Sequence, residues 1–449
     1  MADHAHSSDP AVQAQLDRLA ALSPGRDILG LERIAEICAR LGNPQERLPR
    51  TFHVAGTNGK GSTCAFLRAI LEAGGRRVHS YTSPHLVRFN ERIRLAGTLI
   101  DDELLASLLE EVLDIAADLH ASFFEVTTAA AFLAFARTPA DDCIIEVGLG
   151  GRLDATNIIP APAVCGIASL GIDHEAFLLA PEAGTPQEPA TRIAWEKAGI
   201  IKPGTRVATL SYPPAVTDII AARASAAGAP LFLEGSGWQV DPEGDGFRWS
   251  SASLGAVGEA LFPRMAGPHQ RRNAGLAIAM SRLAEPRPAD ADIVRGIAGT
   301  FWPGRMQLLG SGPLTAAMSG EQNIWIDGGH NLDAALQLAD FLGQTLARRE
   351  PVDLVLGMLA NKDVAGFLAL LAPHVGRLVA VPIPGHEHHA PADLVRIARD
   401  SGIVQASAQG DLPSALRALA ADSPARNILI GGSLYLVGQA LELNEEFPS

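Results

Sequence analysis

The segment Thr51-Phe-His-Val-Ala-Gly-Thr-Asn-Gly-Lys-Gly-Ser-Thr63 constrains this chain more than any other. A short apolar run, fit for a strand, enters a turn carrying Gly56, Gly59 and Gly61 and leaves it in a helical pattern. Glycines, having no Cβ, let backbone N–H groups close around an anion. The helix that follows points its positive end at the same place. Lys60 can reach terminal phosphates, and Ser62 or Thr63 can offer a hydroxyl to magnesium. The spacing departs from the usual Walker loop. Only Thr57 and Asn58 separate Gly56 from the Gly59–Lys60 pair, and Gly61 separates Lys60 from Ser62. The bland alternative is a plain Gly-rich strand-to-helix turn. The coincidence of strand, glycines, lysine, hydroxyls and helix argues against it.

The rest of the chain repeats the strand–helix alternation. Apolar runs predict strands over 51–55, 78–82, 143–147, 164–169 and 206–210, with a weaker one at 230–233. Helical periodicity falls over 62–73, 102–119, 126–137, 193–198 and 214–226, with Asp101 a fair N-cap. Continuous apolar strands between helices imply a mostly parallel sheet covered on both faces. Helical segments 271–283 and 292–298 then lead to a linker at 301–303. The pattern restarts with strands at 323–327, 353–356, 377–381 and 427–430 and helices at 332–347, 364–371 and 391–398. The expected fold is therefore α/β. A P-loop-type, mostly parallel sheet domain spans 1–300, and a smaller Rossmann-like domain spans 301–449. The length of 449 residues suits two domains. The stretch 178–191 breaks the rhythm: with Pro181, Gly184, Pro186 and Pro189 it reads as an exposed loop insertion.

Composition excludes several classes. No segment reaches the roughly 20 apolar residues that cross a bilayer, and 1–10 reads as a polar tail rather than a signal peptide. A net charge of −14 without clustered Lys and Arg argues against a nucleic-acid surface. Cys38, Cys64, Cys143 and Cys165 lie far apart in apolar contexts and read as reduced core thiols, which fits a cytoplasmic protein.

The motifs carry a resemblance. Gly56 to Ser62, GTNGKGS, resembles the Mur ligase superfamily's phosphate loop. Tyr81-Thr-Ser-Pro-His-Leu-Val-Arg-Phe-Asn-Glu-Arg-Ile93 is similar to the omega loop of folylpolyglutamate synthases. The match continues, in family order, through Glu146-Val-Gly-Leu-Gly-Gly-Arg-Leu-Asp-Ala-Thr-Asn157, Ile172-Asp-His174 and Ile193-Ala-Trp-Glu-Lys-Ala-Gly-Ile-Ile-Lys-Pro-Gly204. His269-Gln-Arg-Arg-Asn273, Trp302-Pro-Gly-Arg-Met306 and Asp327-Gly-Gly-His-Asn331 extend it. From about residue 29 to 434 the chain resembles the bacterial bifunctional dihydrofolate synthase/folylpolyglutamate synthase family.

That resemblance implies a C–N bond-forming acid–amino-acid ligase of folate biosynthesis that uses ATP and Mg2+, with the nucleotide in an interdomain cleft. A carboxylate of dihydropteroate or tetrahydrofolate would become an acyl phosphate, and L-glutamate would displace the phosphate. Thr57, Asn58, Gly59, Lys60, Gly61 and Ser62 would hold ATP, with Asn273, Arg305, Asp327 and His330. Ser62, Ser83, Glu146, His174 and Lys197 would serve magnesium, Lys197 as a carbamate. Lys60, His174, Lys197 and Arg305 would carry the catalysis. Leu29, Gly30, Pro84, Phe123, Phe124, Glu125, Leu153, Asp154 and Ala155 would line the pterin site, with Phe124 equally readable as core. A monomer acting on small molecules is implied, with no nucleic-acid or membrane partner.

Alternatives stay open. A polyglutamate synthase alone, or another Mur-type amide ligase, shares most motifs. A P-loop kinase or GTPase-like regulator would need a base-recognition NKxD; Asn361-Lys-Asp363 is one residue short and in the second domain. The 178–191 excess either lengthens a lid near the second metal or loops out harmlessly, the favoured reading. Gly385-His-Glu-His-His389 reads as a polar loop, and Leu332, where the family often has proline, as a neutral helix start.

Overall fold

The computed structural model describes residues 5–22, 29–316, 318, 322–346, 350–422 and 427–449. The first four residues of the expected tail and Ala347 of the expected 332–347 helix lie outside them. The chain packs as two units, one of Met1–Arg264 with Gln270–Phe301 and Ser449, the other of Met265–His269 with Trp302–Pro448.

Among the described residues, the first unit's main sheet comprises β1 (Arg50–Ala55), β2 (Val78–Tyr81), β3 (Ile93–Leu95), β4 (Thr98–Leu99), β5 (Asp142–Glu146), β6 (Val164–Ile167), β7 (Arg206–Thr209) and β8 (Leu231–Leu233). Their spatial order is β4-β3-β2-β5-β1-β6-β7-β8. All pairs from β2 to β8 are parallel, and β3 and β4 form an antiparallel edge. β2 and β5 are buried along their whole length, and β1 everywhere but its first residue. That two-sided burial is why they read as continuous apolar runs.

The helices of this unit are α1 (Pro10–Leu22), α2 (Glu32–Arg40), α3 (Lys60–Ala73), α4 (Asp102–Ile115), α5 (Phe123–Arg137), α6 (Glu175–Leu178), α7 (Pro189–Ala198), α8 (Pro214–Ala226), α9 (Pro268–Leu283) and α10 (Asp290–Gly299). α1, α2, α4 and α5 share one core, in which Leu16, Ile34, Leu109 and Phe132 are buried. α7 and α8 build another on β6 and β7 around Ile167, Ala194 and Ile220. As expected, Asp101 caps α4, accepting from Leu104 N at 2.8 Å.

Several helices start earlier than periodicity implied, and in two of them a side-chain cap sets the start. α5 opens at Phe123, not 126, because Ser122 and Glu125 form a reciprocal capping box: Glu125 N donates to Ser122 Oγ at 3.3 Å and Ser122 N to Glu125 Oε2 at 2.7 Å. Such a cap stabilises a helix by about 1 kcal/mol. α7 opens at Pro189, not 193, with Glu188 accepting from Ala190 N and Thr191 N at 3.0 and 2.8 Å and proline at the first position. The supposed loop over 178–191 is thus shorter. Leu178 ends α6 and is buried, Pro189 to Thr191 are helical, and only 179–188 lies between helices.

Sequence periodicity also missed α1, α2 and a separate antiparallel sheet, β9 (Gln239–Glu243), β10 (Gly246–Ser251) and β11 (Gly255–Ala256). Trp238 and Trp249 bury that small sheet on α9. Trp249 Nε1 donates to Gly275 O at 3.1 Å, and a Cβ on Gly275 would stand 2.4 Å from Val240 Cγ2.

The second unit is a smaller α/β layer structure. Its sheet holds β12 (Gln307–Leu308), β13 (Ile324–Asp327), β14 (Val352–Leu356), β15 (Val375–Ala380), β16 (Gln405–Ala408) and β17 (Ile428–Gly431), in the order β12-β13-β17-β14-β15-β16. All pairs except β12–β13 are parallel. Around it lie α11 (Pro313–Ala316), α12 (Leu332–Phe341), α13 (Val364–Leu371), α14 (Pro391–Asp400), α15 (Leu412–Asp422) and α16 (Leu434–Leu443). Asn331 caps α12 at Ala334 N, 2.9 Å, so Leu332 starts the helix without proline. Asp363 caps α13 at Gly366 N, 2.9 Å, which gives the Asn361-Lys-Asp363 run a structural role.

Candidate active site

The order of strands assembles the site. β2, β5, β1 and β6 are adjacent and parallel. The loops leaving their carboxyl ends, at 82–88, 147–154, 56–59 and 168–174, therefore lie side by side, where an open α/β sheet binds its ligands.

The Gly-rich turn takes the backbone conformation its glycines predict. Gly59 N-caps α3 in the left-handed region, φ 79°, and a Cβ there would also meet Asn273 Oδ1 at 2.5 Å. Asn273 is buried on α9, with Nδ2 donating to Gln270 Oε1 at 3.1 Å. The first helical bond of α3 runs from Thr63 N to Gly59 O at 2.9 Å, so the amides ahead of it face outward from the helix end. Thr57 and Asn58 are different. Their N–H groups donate to Ser169 O at 2.7 and 3.3 Å, and Thr57 Oγ1 donates to Gly171 O at 2.8 Å. These two residues stitch the loop to the end of β6, while the amides of Gly59 to Ser62 lie at the positive end of α3.

Lys60 Nζ donates to Gly56 O at 3.0 Å and Thr57 O at 3.3 Å. Lys197 Nζ, from α7, donates to the same Gly56 O at 2.9 Å. Lys197 is 4% exposed. Burial, and then the charge of Lys60, lower its pKa to about 7, against the opposing pull of Asp173, Asp154 and Glu196.

α7 meets the 147–154 loop closely. Arg152 N donates to Glu196 O at 2.8 Å, and a Cβ on Gly151 would stand 3.1 Å from Lys197 Cα. His174, half-buried, holds φ 54° at the start of α6, with its N–H on Asp173 Oδ1 at 2.8 Å.

Glu146 ends β5, is 5% exposed and accepts from Ser83 N at 3.3 Å, so the strand end and the omega loop meet as expected. Ser62 is buried, and Thr63 Oγ1 is buried without a hydrogen-bond partner. These are hard oxygen donors. Among the described residues no group of three or more His, Cys, Asp or Glu could hold a metal by itself. Such a donor set fits Mg2+, which takes one or two carboxylates and completes its shell with phosphate and water.

The pterin set divides. Phe123 is core, edge-on to Phe89 at 6.0 Å, with the Arg92 guanidinium 5.4 Å from both rings. Phe124 is half-buried instead. Its ring lies over Gly148, where a Cβ would stand 2.4 Å from Cζ, and 6.0 Å from the Tyr81 ring. Glu125 is buried, closing the capping box and pairing with Arg33 of α2 at 3.0 Å. Asp154 and Ala155 are buried as well. Both Asp154 oxygens are engaged, Oδ2 by Leu149 N at 2.8 Å and Oδ1 by Thr156 N at 3.0 Å. Asp154 therefore shapes the loop, while Leu153, Leu29 and Gly30 are half-buried and Pro84 is exposed. Arg33, Gly148 and Arg152 were missed in the sequence. An S-x-x-E box and a Gly-rich strand exit were the available signals.

In the second unit Asp327 ends β13 and accepts from Met306 N at 2.9 Å and Gly329 N at 2.8 Å. Arg305 Nη1 lies 2.9 Å from where a Gly328 Cβ would stand, and His330 Nδ1 is 2.9 Å from Gly328 O. Arg305, Asp327 and His330 are thus gathered at one strand end. In the 385–389 loop, His386 stacks on Tyr435 at 3.7 Å and His389 Nε2 lies 3.1 Å from Lys362 O.

Fold and site together define a phosphate-loop α/β protein with a second doubly wound unit. The family model described as dihydrofolate synthetase, C-terminal domain, matches residues 313–443. The Escherichia coli dihydrofolate synthase/folylpolyglutamate synthase is 33% identical over 416 residues, covering 92% of this chain and 91% of its own. The structure of E. coli FolC in complex with DHPP and ADP matches with a TM-score of 0.85 at 30% identity, over 98% of each chain. A bifunctional folylpolyglutamate synthase/dihydrofolate synthase with Mn, AMPPNP and L-glutamate bound matches with a TM-score of 0.81 at 30% identity, over 97% of this chain and 99% of the other. The chain belongs to the dihydrofolate synthase/folylpolyglutamate synthase family.

Proposed function

We propose that this protein is an ATP-dependent ligase that joins L-glutamate to dihydropteroate and to tetrahydrofolate. The observation that carries the reading is the convergence of the phosphate-loop Lys60 and the buried Lys197 on one carbonyl, at the sheet edge where Glu146 ends the neighbouring strand and α3 begins. A plain Gly-rich turn has no use for two lysines there, one of them desolvated.

In this reading the amides of Gly59 to Ser62 and the Lys60 ammonium hold the β- and γ-phosphates in line with the pterin substrate's carboxylate. That carboxylate attacks the γ-phosphorus, ADP leaves, and an acyl phosphate forms. The amine of L-glutamate then attacks the acyl carbon and inorganic phosphate leaves. Mg2+, held through Glu146, Ser83 and Ser62, would neutralise charge on the phosphates. The neutral Lys197 amine attacks carbon dioxide and loses a proton, giving an anionic carbamate beside His174. Arg305, with Asn273, Asp327 and His330, is assigned to the nucleotide, and Arg305 donates to phosphate oxygens as charge develops. Phe124, over Gly148, offers the ring face on which a pterin stacks. No described helix is long and apolar enough to cross a membrane. The buried thiols go with a reducing cytoplasm and the reading with a monomer.

The test is ADP release with ATP, magnesium and L-glutamate, run in parallel with dihydropteroate and with tetrahydrofolate. Turnover with both supports a bifunctional ligase, and turnover with one restricts the enzyme to that step. Turnover with neither, by folded protein, overturns the folate assignment.

A further inference from the structure

The 179–188 connection is bound into the site at one residue. Glu182 Oε2 accepts from Arg152 Nη2 at 2.6 Å and from Arg192 Nη2 at 3.0 Å. The same two guanidiniums reach Glu196 Oε1 at 3.1 and 3.2 Å, and both lie over the Trp195 ring, at 4.4 and 5.0 Å. Arg192 Nε also donates to Leu178 O at 3.0 Å. Leu178 is buried, with Cδ2 2.9 Å from where a Gly150 Cβ would stand.

The charges decide how much this matters. The side chains of Arg192 and Glu196 are each 5% exposed, while that of Glu182 is 44% exposed. Without Glu182 two guanidiniums would share the single carboxylate of Glu196. Arg192 Nη1 is already buried without a partner. Removing the Glu182 carboxylate leaves the buried Arg192 and the partly exposed Arg152 guanidiniums dependent on Glu196 alone, an excess positive charge beside a buried pair. Geometry adds a second effect. His174 begins the segment and Lys197 lies near its end, and a longer connection holds its ends together less tightly. Anchoring at Leu178 and Glu182 leaves only 183–187 between the anchor and the Glu188 cap of α7.

We propose that Glu182 is a positioning residue: through Arg152 and Arg192 it braces α6 to α7 and so holds His174 and Lys197 in register. The proposal rests on the ligase reading for what that register is used for. It reverses the expectation that the insertion loops out harmlessly.

The experiment compares Glu182→Gln, Glu182→Asp and the exposed-loop control Gln187→Ala. Amide exchange of α6 and α7 is measured in the free protein, and kcat and KM in the ligase assay. Glu182→Gln is expected to speed exchange in α7 about fivefold and to lower kcat about three- to tenfold with KM for ATP within about twofold. Glu182→Asp should recover part of both, and Gln187→Ala neither. Unchanged α7 exchange in Glu182→Gln overturns the brace. So does faster exchange with an unchanged kcat, since the brace would then position nothing. Exchange needs no substrate, so it tests the brace even if no pterin is turned over, in which case the ligase reading fails instead. Should Glu182→Gln not fold, exchange in Glu182→Asp and in the wild-type at about 0.5 M salt decides the matter, because screening weakens the exposed half of the network.

Discussion

Lys60 and Lys197 donate to the same acceptor, their Nζ atoms lying 3.0 and 2.9 Å from the carbonyl oxygen of Gly56. Burial disfavours the charge on Lys197 most, and the positive charge of Lys60 adds to it. A lysine with the ordinary pKa near 10.4 is neutral about once in a few thousand molecules at pH 7, whereas one at about 7 is neutral half the time. That gain, on the order of a thousandfold, makes Lys197 a competent amine nucleophile toward carbon dioxide.

Carbamylation of Lys197 should therefore rise as pH climbs through about 7, because only the neutral amine reacts. The carbamate carbon, labelled from 13C-bicarbonate, should grow between pH 6 and 8 in the wild-type spectrum and be missing in Lys197→Ala. Turnover by that variant should fall at least about a hundredfold and return in part with short carboxylates. A fully active Lys197→Ala would remove the carbamate from the mechanism.

Lys60→Ala should abolish measurable turnover, a loss on the order of a thousandfold or more, in a protein that still folds. It should also raise the pKa of Lys197, since Lys60 contributes to holding it down. The labelled carbamate signal then needs higher pH to appear. Near-normal ADP release would refute the phosphate-loop assignment.

The pterin end is testable through a glycine. Gly148→Ala places a methyl where the Phe124 ring now sits. KM for dihydropteroate should rise about tenfold in this variant and in Phe124→Ala, with KM for ATP little changed. An equal effect on both substrates would point to a general collapse of the loop.

Stability should fall with acid for a reason readable at His53. Burial holds its pKa down at about 3, against 6.5 for an unperturbed histidine, and Thr156 Oγ1 lies 2.9 Å from Nε2. Between those values the unfolded chain binds the proton and the folded one does not. Stability is then lost as pH drops below 6.5, by up to about 1.4 kcal/mol per pH unit, until about pH 3. Urea midpoints at pH 7.5 and 5 should differ less in His53→Asn than in the wild-type.

Much of the first unit was legible because its signals are local. The run 51–55, the glycines after it and the helical pattern over 62–73 follow from apolarity and backbone freedom within a dozen residues. The early starts of α5 and α7 were not seen because apolar periodicity hides a helix's first turn, where caps, not packing, do the stabilising. The small sheet around Trp238 and Trp249 was missed because half of its strand residues face solvent and carry no apolar run.

The sequence by itself determined the order of the main parallel strands and the helices between them, the Gly-rich loop after β1 and which residues carry the family's motifs. All of these rest on short-range patterns of apolarity, glycine and capping. Only the tertiary structure decided that Ser169 takes the amides of Thr57 and Asn58, that Phe124 rather than Phe123 leaves the core, and that Lys197 meets Gly56 across 141 residues. The reason is strand order: β1 lies between β5 and β6, and that placement, set by long-range pairing, brings loops distant in sequence to one edge.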